Sequence, residues 1–338
     1  MKKKIAITMG DPGGIGPEVV IKAVASAGVQ DVSIPIVIGS LAVMEEAMRL
    51  LKPPLTIRTI ESPLRLRHRP GVIDLIDVGG HEGVKRGMPS AEGGQASFSF
   101  IKKAVELALS KEVDAVCTAP ISKESLRLAG LPWPGHTEML AELTLTKDYA
   151  MMLAGGGLRV ILATIHTALR DVPVMITKER VLKTILMAGT ACRMLNLQNP
   201  VIAVAGLNPH AGEAGMFGSE EAGAIAPAVE EARGMGIDAR GPYPPDTVFF
   251  RALKGEFAMV VCMYHDQGLI PLKLLAFDKG VNVTVGLPII RTSPDHGTAY
   301  DIAWKGLANP SSMIEAIKLA SGLRTPRQDS CPYFFLLM

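Results

Sequence analysis

Three apolar runs of strand length in this chain each stop on a histidine, and that repeated ending constrains the fold more than any other feature. The run 258–263, AMVVCM, breaks into Tyr264-His265-Asp266-Gln267-Gly268, polar side chains with a glycine that lets the backbone turn. LRVILATIHT ends its run at His166, and PVIAVAGLNPH ends its run at His210. Runs of this kind suit strands buried on both faces, and open α/β sheets place their chemistry beyond the carboxyl ends of such strands. Three imidazoles delivered to one sheet edge would suit zinc, and also cobalt, nickel or iron, with positions left open for catalysis. Taken singly, each histidine needs no more than a backbone partner at its strand end. His136 and His296 lie in glycine-flanked loops.

The rest of the chain alternates in the same style. Residues 5–9, 34–38, 55–60, 71–78, 115–118 and 281–285 read as strands; 41–51, 91–110, 178–195 and 311–323 read as helices. Residues 151–153 and 160–165 suggest a strand pair about Gly155-Gly156-Gly157, and 287–296 a loop carrying Arg291 and Asp295. Gly135-His136-Thr137-Glu138 opens a helix that Thr137 or its neighbour is placed to cap. Such alternation predicts an α/β fold with a largely parallel sheet.

With 338 residues, about two domains are expected. Four widely spaced cysteines (Cys117, Cys192, Cys262, Cys331) with no C-x-x-C point to a reduced, cytoplasmic protein. Lys2, Lys3 and Lys4 precede an apolar stretch, but Asp11, Pro12 and three glycines cut it short of a signal peptide, and no run is long enough to cross a membrane. The net charge of +2 gives no reason to expect nucleic acid, and the basic cluster Arg65 to Arg69 reads as a solvated loop.

Two further groups of residues bear on chemistry. Lys273 and Arg291, with His136 and with Thr137 and Asn282 as neutral donors, make a mixture suited to a small anion carrying phosphate or carboxylate. The glycine-rich turn Gly10-Asp11-Pro12-Gly13-Gly14-Ile15-Gly16-Pro17-Glu18 follows the first strand. Val19 stands where a dinucleotide fingerprint would have its third glycine or alanine, which favours a tight turn or a differently used phosphate loop over that fingerprint. Residues 295–310, with glycines among Asp and Asn, suit contacts to an adenosine.

These motifs, in order over nearly the whole chain, resemble the 4-hydroxythreonine-4-phosphate dehydrogenase family of pyridoxal 5′-phosphate biosynthesis. The most specific are Gly10-Asp11-Pro12 with Gly14 to Glu18, Pro134 to Glu138, Gly206 to Glu213, Met263 to Gly268, Gly280 to Thr284 and Arg291 to Thr298. The resemblance implies a homodimer of two α/β/α domains around a central cleft, similar to isocitrate and isopropylmalate dehydrogenases. The expected domains are 1–135 with about 285–338, and about 136–284. It also implies a divalent metal on His166, His210 and His265 with both subunits contributing: zinc, or magnesium, cobalt, manganese, nickel or iron. Substrate would be held by His136, Thr137, Lys273, Asn282 and Arg291. NAD or NADP would lie along Gly297, Asp301 and Asn309, with Asp266 or Asp246 as general base.

The implied reaction is oxidation and decarboxylation of 4-phosphooxy-L-threonine to 3-amino-2-oxopropyl phosphate. The alternative within the superfamily is a dehydrogenase of 4-phospho-D-threonate or 4-phospho-D-erythronate. More distant readings are a non-catalytic metal-binding module and a phosphotransacetylase-like acyltransferase.

Overall fold

The computed structural model describes residues 2–64, 66, 69–79 and 83–325, so Arg65, Arg67, His68, Cys331 and the C-terminal tail lie outside the described residues. The chain forms two α/β units. One runs to Lys147 and resumes over Leu287–Thr325; the other spans Asp148–Gly286.

In the first unit, β1 (Lys3–Thr8), β2 (Ser33–Gly39), β3 (Thr56–Thr59), β4 (Val72–Asp77), β5 (Ala115–Thr118) and β12 (Arg291–Pro294) are all parallel, in the order β3-β4-β2-β1-β5-β12. Ile5, Ala6 and Ile7 of β1 and Ile36, Val37 and Ile38 of β2 are completely buried, which explains why these strands read as unbroken apolar runs. Each large aliphatic side chain so buried contributes about 1.5–3 kcal/mol relative to exposure. Helix starts follow local chemistry: the Ser40 hydroxyl accepts from Val43 N at the head of Leu41–Leu51, and Ser90 from Gly93 N at the head of Ala91–Leu109.

Two differences from the expectation stand out here. Residues 287–296 are not all loop, because Arg291 and Thr292 pair with Val116 and Cys117 along β5. A four-residue strand, RTSP, carries no periodicity of its own and exists because β5 offers it an edge. The helix His136–Leu143, expected to open the second domain, belongs to the first unit and packs on Ala91–Leu109. Its N-cap is Gly135 and no side chain caps it, Thr137 included.

The second unit contains β6 (Ala150–Gly155), β7 (Leu158–Leu162), β8 (Ile202–Ala205), β9 (Ala239–Tyr243), β10 (Met259–Cys262) and β11 (Val281–Val285), in the order β11-β6-β7-β10-β8-β9. β6 is antiparallel to both neighbours, and it meets β7 through Gly156 and Gly157 at φ 58° and 86°. The other pairings are parallel. Leu153, Val160, Leu162, Ala203, Val260 and Leu272 form much of the core. After β10 the chain enters a helix, His265–Ala276, that the sequence did not announce; Pro271 inside it argues against helix. Among the described residues, no helix is long and apolar enough to cross a membrane.

Candidate active site

β7, β10 and β8 are adjacent and parallel, so the segments bearing His166, His265 and His210 leave the sheet at one edge. The rings of His166 and His265 lie with centroids 5.8 Å apart and planes 39° apart. That separation is compatible with two imidazoles sharing one cation at about 2.1 Å from each nitrogen. His265 Nδ1 lies 2.7 Å from Asp266 Oδ1, which leaves Nε2 as the ring nitrogen for a ligand. Among the described residues of a single chain, no group of three or more His, Cys, Asp or Glu side chains is set to hold a metal ion. The structure thus brings together two of the three expected ligands, and their chemistry fits a borderline divalent cation.

His210 is presented by an unusual backbone. Residues 210–214 have φ values of 53°, 54°, 80°, 43° and 54°, a left-handed turn that costs roughly 1–2 kcal/mol at each non-glycine residue. Surrounding contacts must hold such a turn in place. Glu221, buried at 5% exposure, does much of this: its Oε1 accepts from Leu207 N and Asn208 N, both at 2.8 Å, and its Oε2 from Asn208 Nδ2 at 3.0 Å. A Cβ on Gly212 would lie 2.7 Å from Glu221 Oε2, so a larger residue there would push on the carboxylate that holds the turn. Sequence reading missed Glu221, because it lies beyond the motif on a separate π-helical turn. Of the two carboxylates expected as base, Asp266 is engaged by His265, whereas Asp246 is exposed in the first turn of Pro245–Leu253. That helix packs on the His210 segment.

In the first unit, Arg291 is 1% exposed, and its Nη2 donates to Thr118 Oγ1 at 2.7 Å. Burial pulls its guanidinium down to about 10, which still leaves a cation at neutral pH. His136 is held well below 6.5, first by burial and then by the Arg291 cation; a hydrogen bond with the Ala119 backbone opposes this. Its Nε2 is buried and has no hydrogen-bond partner among the described residues. Thr137, beside it, is also buried. In the second unit Asn282 Oδ1 on β11 is likewise buried without a partner among the described residues, and Lys273 Nζ lies 5.7 Å from the Phe277 ring centroid. An unmatched buried polar atom costs about 1–3 kcal/mol, so each invites a ligand as its explanation.

The His136 shift has a measurable consequence. A histidine neutral in the fold but free to protonate when unfolded makes the unfolded state bind the extra proton, so stability falls with acidification from about pH 6.5 downwards. Urea midpoints of wild type are therefore expected to drop between pH 7.5 and 5.5 more than those of His136→Gln. Equal drops would show that His136 is charged in the fold.

The three described thiols are poor nucleophiles: burial raises Cys117 to about 12, Cys192 to about 11 and Cys262 higher still. In the loop before the last helix, a Cβ on Gly297 would meet open space, Asp301 is exposed, and Asn309 Oδ1 accepts from Ser311 N and Oγ at 3.0 and 2.7 Å. Any contact from Asn309 to a cofactor would therefore come from its NH2 end.

Paired imidazoles at the carboxyl edge of a parallel sheet, with buried cationic and neutral groups suited to an anion, define a ligand-binding α/β protein of enzyme type. The chain belongs to the family described as pyridoxal phosphate biosynthetic protein PdxA, whose profile matches residues 31–320. It is 48% identical over 320 residues to a 4-hydroxythreonine-4-phosphate dehydrogenase of Desulforapulum autotrophicum, covering 94% of each chain. It is also 48% identical over 324 residues to a D-threonate 4-phosphate dehydrogenase of Salmonella typhimurium, covering 95% of this chain and 99% of the other. A crystal structure of a 4-hydroxythreonine-4-phosphate dehydrogenase from Burkholderia phymatum superposes with a TM-score of 0.87 at 46% identity, over 97% of this chain and all of that one. These findings bear out the family and the oxidoreductase class expected from the sequence.

Proposed function

We propose that this chain oxidises the C3 hydroxyl of 4-phosphooxy-L-threonine with NAD and releases the carboxylate as CO2, leaving 3-amino-2-oxopropyl phosphate and NADH. The observation that carries this reading to an anionic substrate is the buried His136 Nε2, without a partner among the described residues, beside the Arg291 cation. Arg291 offers a two-pronged contact to phosphate or carboxylate and Lys273 a point charge. His136, Thr137 and Asn282 complete the polar set, with His136 entering as a neutral imidazole. Asp266 orients His265, and Asp246 accepts the proton of the C3 hydroxyl. His166, His210 and His265 are the residues for a divalent cation, most simply zinc, with magnesium, cobalt, manganese, nickel or iron as alternatives. When bound, the cation supplies Lewis-acid polarisation at the reacting oxygen, and NAD or NADP supplies the hydride acceptor.

A homodimer is part of the same reading, with both subunits contributing to the metal site. The helix that His265 heads exposes Ile270, Leu274 and Phe277 at 59%, 83% and 75%, an apolar stripe at i, i+4 and i+7 that a second copy would cover. Light scattering should then give twice the 35.9 kDa chain mass. The three described free cysteines, all buried, support a cytoplasmic location.

A second reading, oxidation of 4-phospho-D-threonate, is favoured by the Salmonella relative at the same identity, and 4-phospho-D-erythronate is the other acid to test. The two readings separate in one assay of NADH formation by metal-loaded protein. Preference for 4-phosphooxy-L-threonine supports the first, and preference for either amine-free acid moves the substrate while keeping the chemistry. No NADH from any of the three would overturn both.

A further inference from the structure

The glycine-rich loop 10–18 has no part in the site as proposed, and its hydrogen bonds show what it does. A phosphate-binding turn aims its backbone N–H groups at the ligand. Here Gly13 N donates to Asp11 Oδ1 at 2.8 Å, Gly14 N to Asp11 O at 3.0 Å, and Ile15 N to Thr298 O at 3.0 Å. The space above the glycines is filled as well. An added Cβ would lie 2.6 Å from Lys85 O at Gly13, 2.9 Å from Thr298 at Gly14, and 2.2 Å from Met9 O at Gly16. That settles the choice left open by the sequence: the glycines serve close packing, not a phosphate.

What packs there is the loop 298–308. Asp11, fully buried, accepts on Oδ2 from Tyr300 OH at 2.7 Å and from Ser125 Oγ at 2.8 Å. Glu18, also fully buried, accepts from Trp304 N at 2.5 Å, and Trp304 Nε1 donates to Pro12 O at 3.0 Å. Lys22 Nζ donates to Gly306 O and Ala308 O at 2.8 and 2.7 Å. The Arg86 guanidinium sits 4.3 Å from the Trp304 ring centroid. Asp11, Pro12, Glu18 and Lys22, on the turn and the helix that follows it, all bond to the loop proposed to carry the cofactor.

We propose that Asp11 and Tyr300 are positioning residues for the nicotinamide cofactor: their part-buried hydrogen bond fixes the 297–309 loop in its binding conformation. This rests on the reading of Gly297, Asp301 and Asn309 as cofactor contacts. Tyr300, raised to about 12 chiefly by burial, keeps its proton and remains the donor to Asp11 at any physiological pH. An ordered loop binds without the conformational cost that a loose one would incur.

The chain has two tryptophans, Trp133 and Trp304, so Trp133→Phe leaves Trp304 as a reporter within the loop. In that background, Tyr300→Phe and Asp11→Asn are expected to raise the NAD Kd, read by Trp304 quenching, and the KM for NAD by about tenfold, the effect of one lost hydrogen bond to a charged group. The KM for the phosphorylated substrate should stay within about twofold. Amide exchange over 297–309 should quicken in Tyr300→Phe, the milder change, which keeps the test sound if Asp11→Asn folds poorly. Wild-type NAD affinity in a folded Tyr300→Phe would overturn the proposal, as would parallel rises in both KM values. If the parent protein binds no NAD at all, the cofactor reading itself fails first, and the positioning role with it.

Discussion

His265→Ala is expected to lose turnover by about a thousandfold or more, since Lewis-acid stabilisation is worth several kcal/mol and each 1.4 kcal/mol is tenfold. The residue heads the helix His265–Ala276 at 36% side-chain exposure, so its removal leaves no large cavity. Bound metal per chain, measured by elemental analysis after dialysis, should fall with activity while the thermal midpoint of metal-free protein stays put. Asp266→Asn should act in the same direction but less, by about 10–100-fold in metal affinity, the usual cost of losing a carboxylate that orients a ligating histidine. Full activity in metal-depleted His265→Ala would remove the metal from the mechanism.

Arg291→Met should separate substrate binding from stability. Among the described residues Arg291 is the largest of the fully buried side chains, and methionine fills similar space without a charge. Methionine removes the guanidinium that the buried Thr118 hydroxyl accepts from, a loss of about 1–3 kcal/mol, so the urea midpoint should fall only modestly. Truncating a charged group that a ligand needs costs about 2–5 kcal/mol, which sets the expected rise in substrate KM at about thirtyfold or more. Arg291→Lys should recover little of it, since a lysine cannot reproduce the paired donors or the contact to Thr118 Oγ1. A Met variant with wild-type KM would show that the buried cation serves the fold and not the substrate.

Sequence and structure agree most closely where the signal was local. The helix 41–51 and the strands 115–118 and 281–285 have the bounds that periodicity and capping predict, because each carries its own start signal or apolar pattern. Lys273, Arg291 and the three histidines could be picked out because charged or ligating side chains at the ends of apolar runs need a reason to be there. Elements stabilised mainly by partners distant in sequence were not legible. β12 exists through its pairing with β5, the helix 265–276 forms despite Pro271, and the boundary between units falls at 147 because His136–Leu143 packs on Ala91–Leu109.

The sequence by itself determined most of the strands buried on both faces and that a histidine follows three of them; those are properties of neighbouring residues along the chain. Only the tertiary structure decided that the three strands are adjacent and parallel and that within one chain His166 and His265 meet. It also turned the 10–18 glycines into a seat for a loop almost 290 residues away, Asp11 to Tyr300 being 289 apart. Adjacency across such separations depends on which faces bury together, and no local pattern of residues encodes that.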